Sequence, residues 1–503
     1  MLLLGTGLCA LSGACARPAP VEEPYTISVP YDLDNLDPAS RNRLSDFSLL
    51  SNFYEPLVVT DADLSPRAAL AARWSNPDAL TWLFELRAGV RFHDGGLLAA
   101  EDVVWTFERL RRGPALEMSG HVASIASVRA RDARTVEVRT TAPVGILLNK
   151  LRFVLVVRRG EDFDLLRRQV NGTGPYRLDS WEKGSAMTLR RNEGYWGPRP
   201  ALGAVRFCLN RSPAVALDDF LAGRSRFVQA NAKEAEMRLG REPGVEVRRN
   251  NSVSVKFLFF DVARAATPDV PGGRNPFRDG RVRRAVSLAI DREELVRRLS
   301  VPAAPASQLV PSFIFGHDPG LPALREDLAG AKRLLAEAGW PHGFEARFPA
   351  RALFVEAAEI VAGMLARVGV RLRVEALPEP EWFRAMADGR FALTISRFGC
   401  PTGDASDLFE NALHTSAPER RIGLMNYTGY SSPELDRCVE DAARTLDMSR
   451  RQALLHGAMR RAMDDLPFLP LYVDQDLYAF RSGLRWRPRN DNFLIASEIV
   501  RGR

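Results

Sequence analysis

Lysine, histidine and cysteine are all scarce in this chain. Lysine stands at five positions, Lys150, Lys183, Lys233, Lys256 and Lys332, in a Lys+Arg total of 69. The net charge of +7 over 503 residues, with an isoelectric point near 9.3, is therefore an arginine excess. It is spread through every expected element and gathers in no stripe, so it reads as a solvated surface, and no nucleic-acid partner is expected. The histidines, His93, His121, His317, His342, His414 and His456, are scattered, and none stands in an H-E-x-x-H pair. No G-x-S-x-G elbow, Walker A loop or G-x-G-x-x-G turn occurs. No metal, no cofactor and no catalytic residue is expected, and the chain reads as a non-enzyme. The cysteines form no C-x-x-C pair and show no zinc spacing. Internal repeats and low-complexity linkers are missing as well.

The apolar, uncharged run Met1–Ala14 falls short of the about 20 residues that span a bilayer. It reads as the apolar part of a secretory signal, residues 1–14, followed by a tether at 15–24. Two cleavage readings stay open. Ser12-Gly13-Ala14-Cys15 is similar to a bacterial lipobox, which makes Cys15 a lipidated first residue and the membrane a partner through that anchor. Ala14-Cys15-Ala16 also fits an A-x-A site for ordinary signal peptidase. Either way the protein is exported, and the expected location is the periplasm. Of the remaining thiols at most one pair can join, Cys400 with Cys438 if any, and buried free thiols are the expected state.

What is present is ordinary globular composition, 46% hydrophobic and 26% charged, in a chain long enough for two or three lobes. Its most ordered stretch runs from Leu80 to Leu110. Trp82, Phe84 and Leu86 alternate with Leu83, Glu85 and Arg87 as in a half-buried strand. Ala88-Gly89 is a turn, Val90–Phe92 a second short strand running back, and His93-Asp94-Gly95-Gly96 a further turn. A helix begins near Ala100 and places Val103, Val104, Phe107 and Leu110 on one face, with Glu101 and Asp102 at its positive end.

As a string, LRAGVRFHDG…AAEDV resembles the extracytoplasmic solute-binding proteins that serve peptide and nickel ABC importers. Further similar strings are Leu36-Asp37-Pro38, Phe53–Leu57, Leu70–Trp74, Asn171–Tyr176, Arg191–Gly197, Asn275–Phe277 with Asp279–Arg292, and Leu466–Tyr472. The GTGPY string is not a phosphate cradle, because Pro175 removes an N–H, no Lys-Ser/Thr follows, and a strand rather than a helix comes next. Between Phe344 and Phe398, strand and helix patterns alternate, which implies a mostly parallel, helix-covered sheet.

The resemblance implies an α/β, bilobal periplasmic-binding-protein type II fold with an extra subdomain in lobe I. Residues 25–53, 171–251 and 476–503 would form the lobe I core, 54–170 the subdomain and 252–475 lobe II. It implies a monomer that captures a small peptide or peptide-like solute in an interlobe cleft and delivers it to an ABC permease and its ATPase subunits. A nickel- or metallophore-binding member, or an opine or sugar binder, is the alternative within the family; an exported hydrolase on the same scaffold is the alternative of another class.

For the site, the resemblance assigns Asp404, with Asp407 nearby, to a peptide's α-ammonium. These two acids follow Phe398 beyond the carboxyl end of a strand, where ligands of α/β sheets sit. Relatives carry a Trp three residues before that aspartate, where this chain has Pro401. Arg351, or else Arg347, is expected on the peptide carboxylate, and Tyr31 on the lobe I wall. On this reading, removing the Asp404 carboxylate weakens amine ligands by more than about tenfold and leaves the empty protein's melting temperature alone.

Overall fold

The computed structural model describes residues 23–113, 116–209 and 211–502. The signal at 1–14 and Cys15 lie outside the described residues. Among the described residues, no helix is long and apolar enough to cross a membrane.

Two strands organise the chain. Val245–Phe260 has 16 residues and Phe468–Arg481 has 14. At about 3.3 Å per residue the longer one reaches about 50 Å, enough to run through two packed bodies. They pair antiparallel from Val245 opposite Arg481 to Phe259 opposite Phe468, with register shifts between Asn251 and Val255 and between Lys256 and Phe257. Their composition changes at the same place. Residues 253–260 are buried almost throughout, as a strand covered on both faces must be, whereas residues 245–252 are half exposed.

The apolar clusters divide there too. One cluster gathers buried residues from Val253 to Val473, together with Leu64. Another gathers residues from Tyr25 to Phe227 and from Tyr478 to Ile499. A third, smaller one joins Ala216, Leu217 and Phe220 to Leu477 and Ala479. Within a few residues of the first register shift, Phe468–Arg481 passes from the first core to the second and third, and Val245–Phe260 passes from the first to the third.

The main sheet is continuous through both bodies. Its strands lie in the order Val370–Leu377, Phe344–Arg351, Leu393–Gly399, Val245–Phe260, Phe468–Arg481, Phe227–Ala230, Tyr25–Ser28, Ala204–Cys208, Ala186–Arg191 and Tyr176–Glu182. Phe344–Arg351 pairs in parallel with Val370–Leu377 and touches Leu393–Gly399 in parallel through Ala350 and Ile395. The helix Val355–Ala366 between them buries Ile360, Val361, Met364 and Leu365, the stripe its spacing predicts. Leu393–Gly399 then meets the long strand antiparallel, so the sheet as a whole is mixed.

A separate antiparallel sheet has the order Ala71–Asp78, Thr81–Leu86, Thr135–Thr140, Ile125–Ala130. Trp82, Phe84 and Leu86 are buried, as the alternation predicts. The return strand expected at Val90–Phe92 does not form; a single bridge joins Arg91 to Leu97. Positive φ at Gly89 and Gly95 turns the chain twice within seven residues, which leaves no length for a ladder. The helix Ala100–Arg112 lacks a hydroxyl at its cap, Ala99. Asp102 keeps the other half of the capping box, accepting the Ala99 N–H at 2.8 Å, while its other oxygen accepts the N–H of Arg159 at 3.0 Å.

Candidate functional site

The strings that carry the resemblance meet in space, but at a scaffold. Gly174 donates its N–H to the Phe53 carbonyl at 2.8 Å, and Tyr176 donates to Asn52 at 3.1 Å. The close approach requires glycine: a Cβ at Gly172 would stand 2.0 Å from the Phe53 oxygen. His93 is held by the same turn. Its Nδ1 accepts the Gly172 N–H at 3.4 Å, so its Nε2 carries the proton toward the Gly174 carbonyl at 3.2 Å. Burial lowers the imidazole to about 4, which keeps it neutral. Glu55 accepts from Thr173 Oγ1, Tyr195 OH and Trp196 Nε1, each at 2.8 Å. Burial pushes its carboxyl up to about 7 against the pull of those three donors.

Beside this knot lies a hollow of about 190 Å³ lined by Glu55, Arg152, Trp196 and Arg489. Its charges answer one another. Asp491 receives Arg152 at 3.1 Å and Arg489 at 2.8 Å, and Arg489 also reaches Glu498 at 2.7 Å. The Arg152 guanidinium lies over the faces of Phe153 and Phe493, at 4.5 and 5.2 Å. Matched groups of this kind hold a body together.

The cleft between the two bodies is built differently. A cavity of about 560 Å³ opens where the long strands cross, walled by Tyr31, Ser48 and Gln229 on one side and Arg397, Phe398 and Met425 on the other. Ser252 and Ser254, at the register shift, form part of its lining together with Asp474 and Asp476. The structure thus brings Tyr31 and Phe398 into one cavity. Tyr31 OH lies 3.2 Å from Ser48 Oγ, and burial raises the phenol to about 12. Asp474 is paired with Lys256. Asp476 accepts from the side-chain amides of Gln229, at 3.2 Å, and Asn492. Its carboxyl rises to about 6, chiefly through burial and then through the neighbouring charge of Asp474.

A second interbody cavity, of about 570 Å³, is walled by Leu64, Leu148 and Asn149 on one side and by Phe315, Asp404 and Arg451 on the other. Two bonds close the bodies on each other nearby. Asn149 Nδ2 donates to the Thr402 carbonyl at 2.8 Å, and Gly145 N donates to Ala443 at 2.9 Å.

Four expected ligand contacts stand otherwise than the sequence led us to expect. Asp404 is almost fully buried and takes both terminal guanidinium nitrogens of Arg451, one at 2.9 Å, while its Oδ1 also accepts the N–H of Ser406 at 2.9 Å. An acid so engaged has no free charge for an incoming ammonium. Asp407 accepts the N–H and hydroxyl of Thr402, at 2.9 and 2.8 Å, and burial raises it to about 7. Arg351 pairs with Glu379 at 2.7 Å under a roof of Phe354, Trp382 and Phe383. Arg347 pairs with Glu375 and Asp269 over the outer parallel strands. The cause is common to all: each finds its counter-charge or donor inside its own body. Cys400 and Cys438 are free thiols, so the disulfide between them is not made.

Sequence reasoning missed Asp476, Arg397, Gln229 and Asn492. One signal was available, since Asp474-Gln475-Asp476 interrupts an apolar strand with three polar residues, which a buried strand does only where it lines something polar.

Comparison with known proteins completes the picture. The model of the bacterial extracellular solute-binding proteins, family 5 (middle), matches residues 65–419. Glutathione-binding protein GsiB of Escherichia coli K12 is 24% identical over 500 residues, covering 94% of this chain and 93% of that protein. Among solved structures, the periplasmic binding protein DppA of Helicobacter pylori, in complex with the peptide STSA, superposes with a TM-score of 0.75 at 21% identity, covering 95% of this chain and 98% of that one. NikZ of Campylobacter jejuni, in complex with Ni(L-His), gives 0.76 at 18% identity over 96% and 100%.

Proposed function

The chain belongs to the bacterial extracellular solute-binding proteins of family 5, and from that membership we propose that its solute is a small peptide or a peptide-like molecule. As a substrate-binding protein of the ABC-importer type it binds and hands over its cargo in the periplasm, where proteins of this family work. The observation that carries the peptide reading is the interlobe cavity of about 560 Å³, large enough for a short peptide and lined by polar groups of both signs. We take 25–53, 171–251 and 476–503 as the lobe I core, 54–170 as its subdomain and 252–475 as lobe II. The change of core near residues 252 and 475 supports those boundaries. Lobe closure follows from differential affinity: a solute that touches both walls stabilises the closed form by its extra contacts there. No bond of the solute is broken in this cycle, and the cargo passes intact to a permease. Cys15 is the proposed lipid anchor, and the mass of the mature N-terminus in a native membrane fraction tests it.

Thermal shift and calorimetry with di- and tripeptides, glutathione, opines, sugars and nickel–histidine test the solute class. A short peptide should raise the melting temperature, contract the molecule in small-angle scattering and be recovered unchanged. A nickel-dependent shift in place of a peptide shift would transfer the protein to the metal-carrying branch, and consumption of any solute would make it an enzyme.

A further inference from the structure

Among the described residues, the charges that face the hinge cavity are Arg397, Asp474, Asp476, Asp491 and, behind Asp474, Lys256. Three of them are already neutralised. Lys256, itself buried, holds Asp474. Asp491 is held from behind by Arg152 and Arg489. Among the described residues the hydrogen-bond donors to Asp476 are neutral, the amides of Gln229 and Asn492, and it shares the charge of Lys256 with Asp474. Arg397, paired through its backbone with the Lys256 strand, has an exposed side chain on the opposite wall that makes no ion pair or hydrogen bond among the described residues. Two acids of the hinge strand, Asp474 and Asp476, therefore face one lysine, which leaves an excess negative charge there and an unpaired positive charge, Arg397, on lobe II.

We infer that the solute is a zwitterion whose ammonium group is met by Asp476 and whose carboxylate is met by Arg397, with Asp404 playing no part because Arg451 neutralises it. The assignment rests on the hinge cavity being the solute site. It explains why closure needs both ends of the ligand: Asp476 lies on a strand that crosses the hinge, and Arg397 lies on Leu393–Gly399, in lobe II. A solute bridging them draws the two walls together. It also accounts for Pro401, since a ligand anchored at the hinge does not rest against the loop before Asp404.

The test uses the purified full chain and a library of unblocked di- and tripeptides, read by calorimetry, with the tightest binder then compared in N-acetylated and C-amidated forms. Each blocked form should bind at least about tenfold more weakly than the free peptide, as when one member of a desolvated charge pair is lost. Asp476→Asn should weaken the free peptide by at least about tenfold and leave the N-acetylated form unchanged. Arg397→Gln should do the same for the free peptide and spare the C-amidated form; this residue is exposed, so the variant folds. Equal affinity of free and N-acetylated peptide for the wild type, or wild-type affinity in Asp476→Asn with its melting temperature retained, would overturn the assignment. Tight binding of an uncharged sugar with no binding of any peptide would overturn it too while leaving solute capture in the cleft intact. Failure of every solute to contract the molecule would remove the capture reading itself.

Discussion

The knot around Glu55 and the cavity around Asp476 both contain buried acids held by side-chain donors, yet they have opposite economies of polar groups. At Glu55, three donors from two distant strings converge on one carboxylate, and the backbone of Gly172–Tyr176 is laced to Asn52 and Phe53. At Asp476, two amides leave a charge unanswered, and an arginine across the gap is unanswered as well. Satisfied groups hold a fold; unsatisfied ones of opposite sign wait for a ligand. The residues that make this chain recognisable are of the first kind, and those that would choose its cargo are of the second.

Asp404 tests that contrast most severely, because its place in the sequence suggests a ligand contact and its surroundings are those of the knot. Asp404→Ala should leave Arg451 charged, buried and alone, and should lower stability by about 3–5 kcal/mol in denaturant titration. Adding Arg451→Met should restore much of that loss. A melting temperature unchanged by Asp404→Ala would return the residue to the ligand-binding set.

Next in size is Glu55→Ala. It strands the donors of Thr173, Tyr195 and Trp196, at about 1 kcal/mol each, so a loss of about 3 kcal/mol is expected in the same titration. The sign of its pH dependence follows from the direction of the shift. The carboxyl rises from its ordinary 4.5 to about 7, so the native state binds its proton more tightly than the unfolded chain does. Its contribution is fully present below pH 4.5 and fades as the pH climbs through 7. Melting temperature should accordingly fall between pH 5 and 8, and Glu55→Gln should flatten that fall; an equally steep fall in the variant would assign the effect to other buried acids.

The smallest effect belongs to the cavity wall. Tyr31→Phe removes one hydroxyl contact to Ser48 and should cost less than about 1 kcal/mol in stability. If it destabilised as much as Glu55→Ala, the cleft would be scaffold after all.

Much of the fold was legible residue by residue. The stripe Ile360, Val361, Met364, Leu365 and the alternation Trp82, Phe84, Leu86 were readable because burial on one face imposes a period, and a period survives in one dimension. The strand at Val90–Phe92 was misread, because two glycine turns in close succession look like hairpin punctuation whether or not a ladder follows. Of the expected site, Tyr31 and Phe398 reach the hinge cavity, while Arg347 and Arg351 are turned to Glu375 and Glu379.

What the sequence by itself determined was the family and the alternating strand–helix order, since each is written in local pattern. Only the tertiary structure decided which charges are free. Asp404 and Arg451 lie 47 residues apart, and Arg397 and Asp476 approach one cavity from different strands. Whether a charge is answered depends on which distant group comes within a few ångströms of it, and folding alone sets that distance.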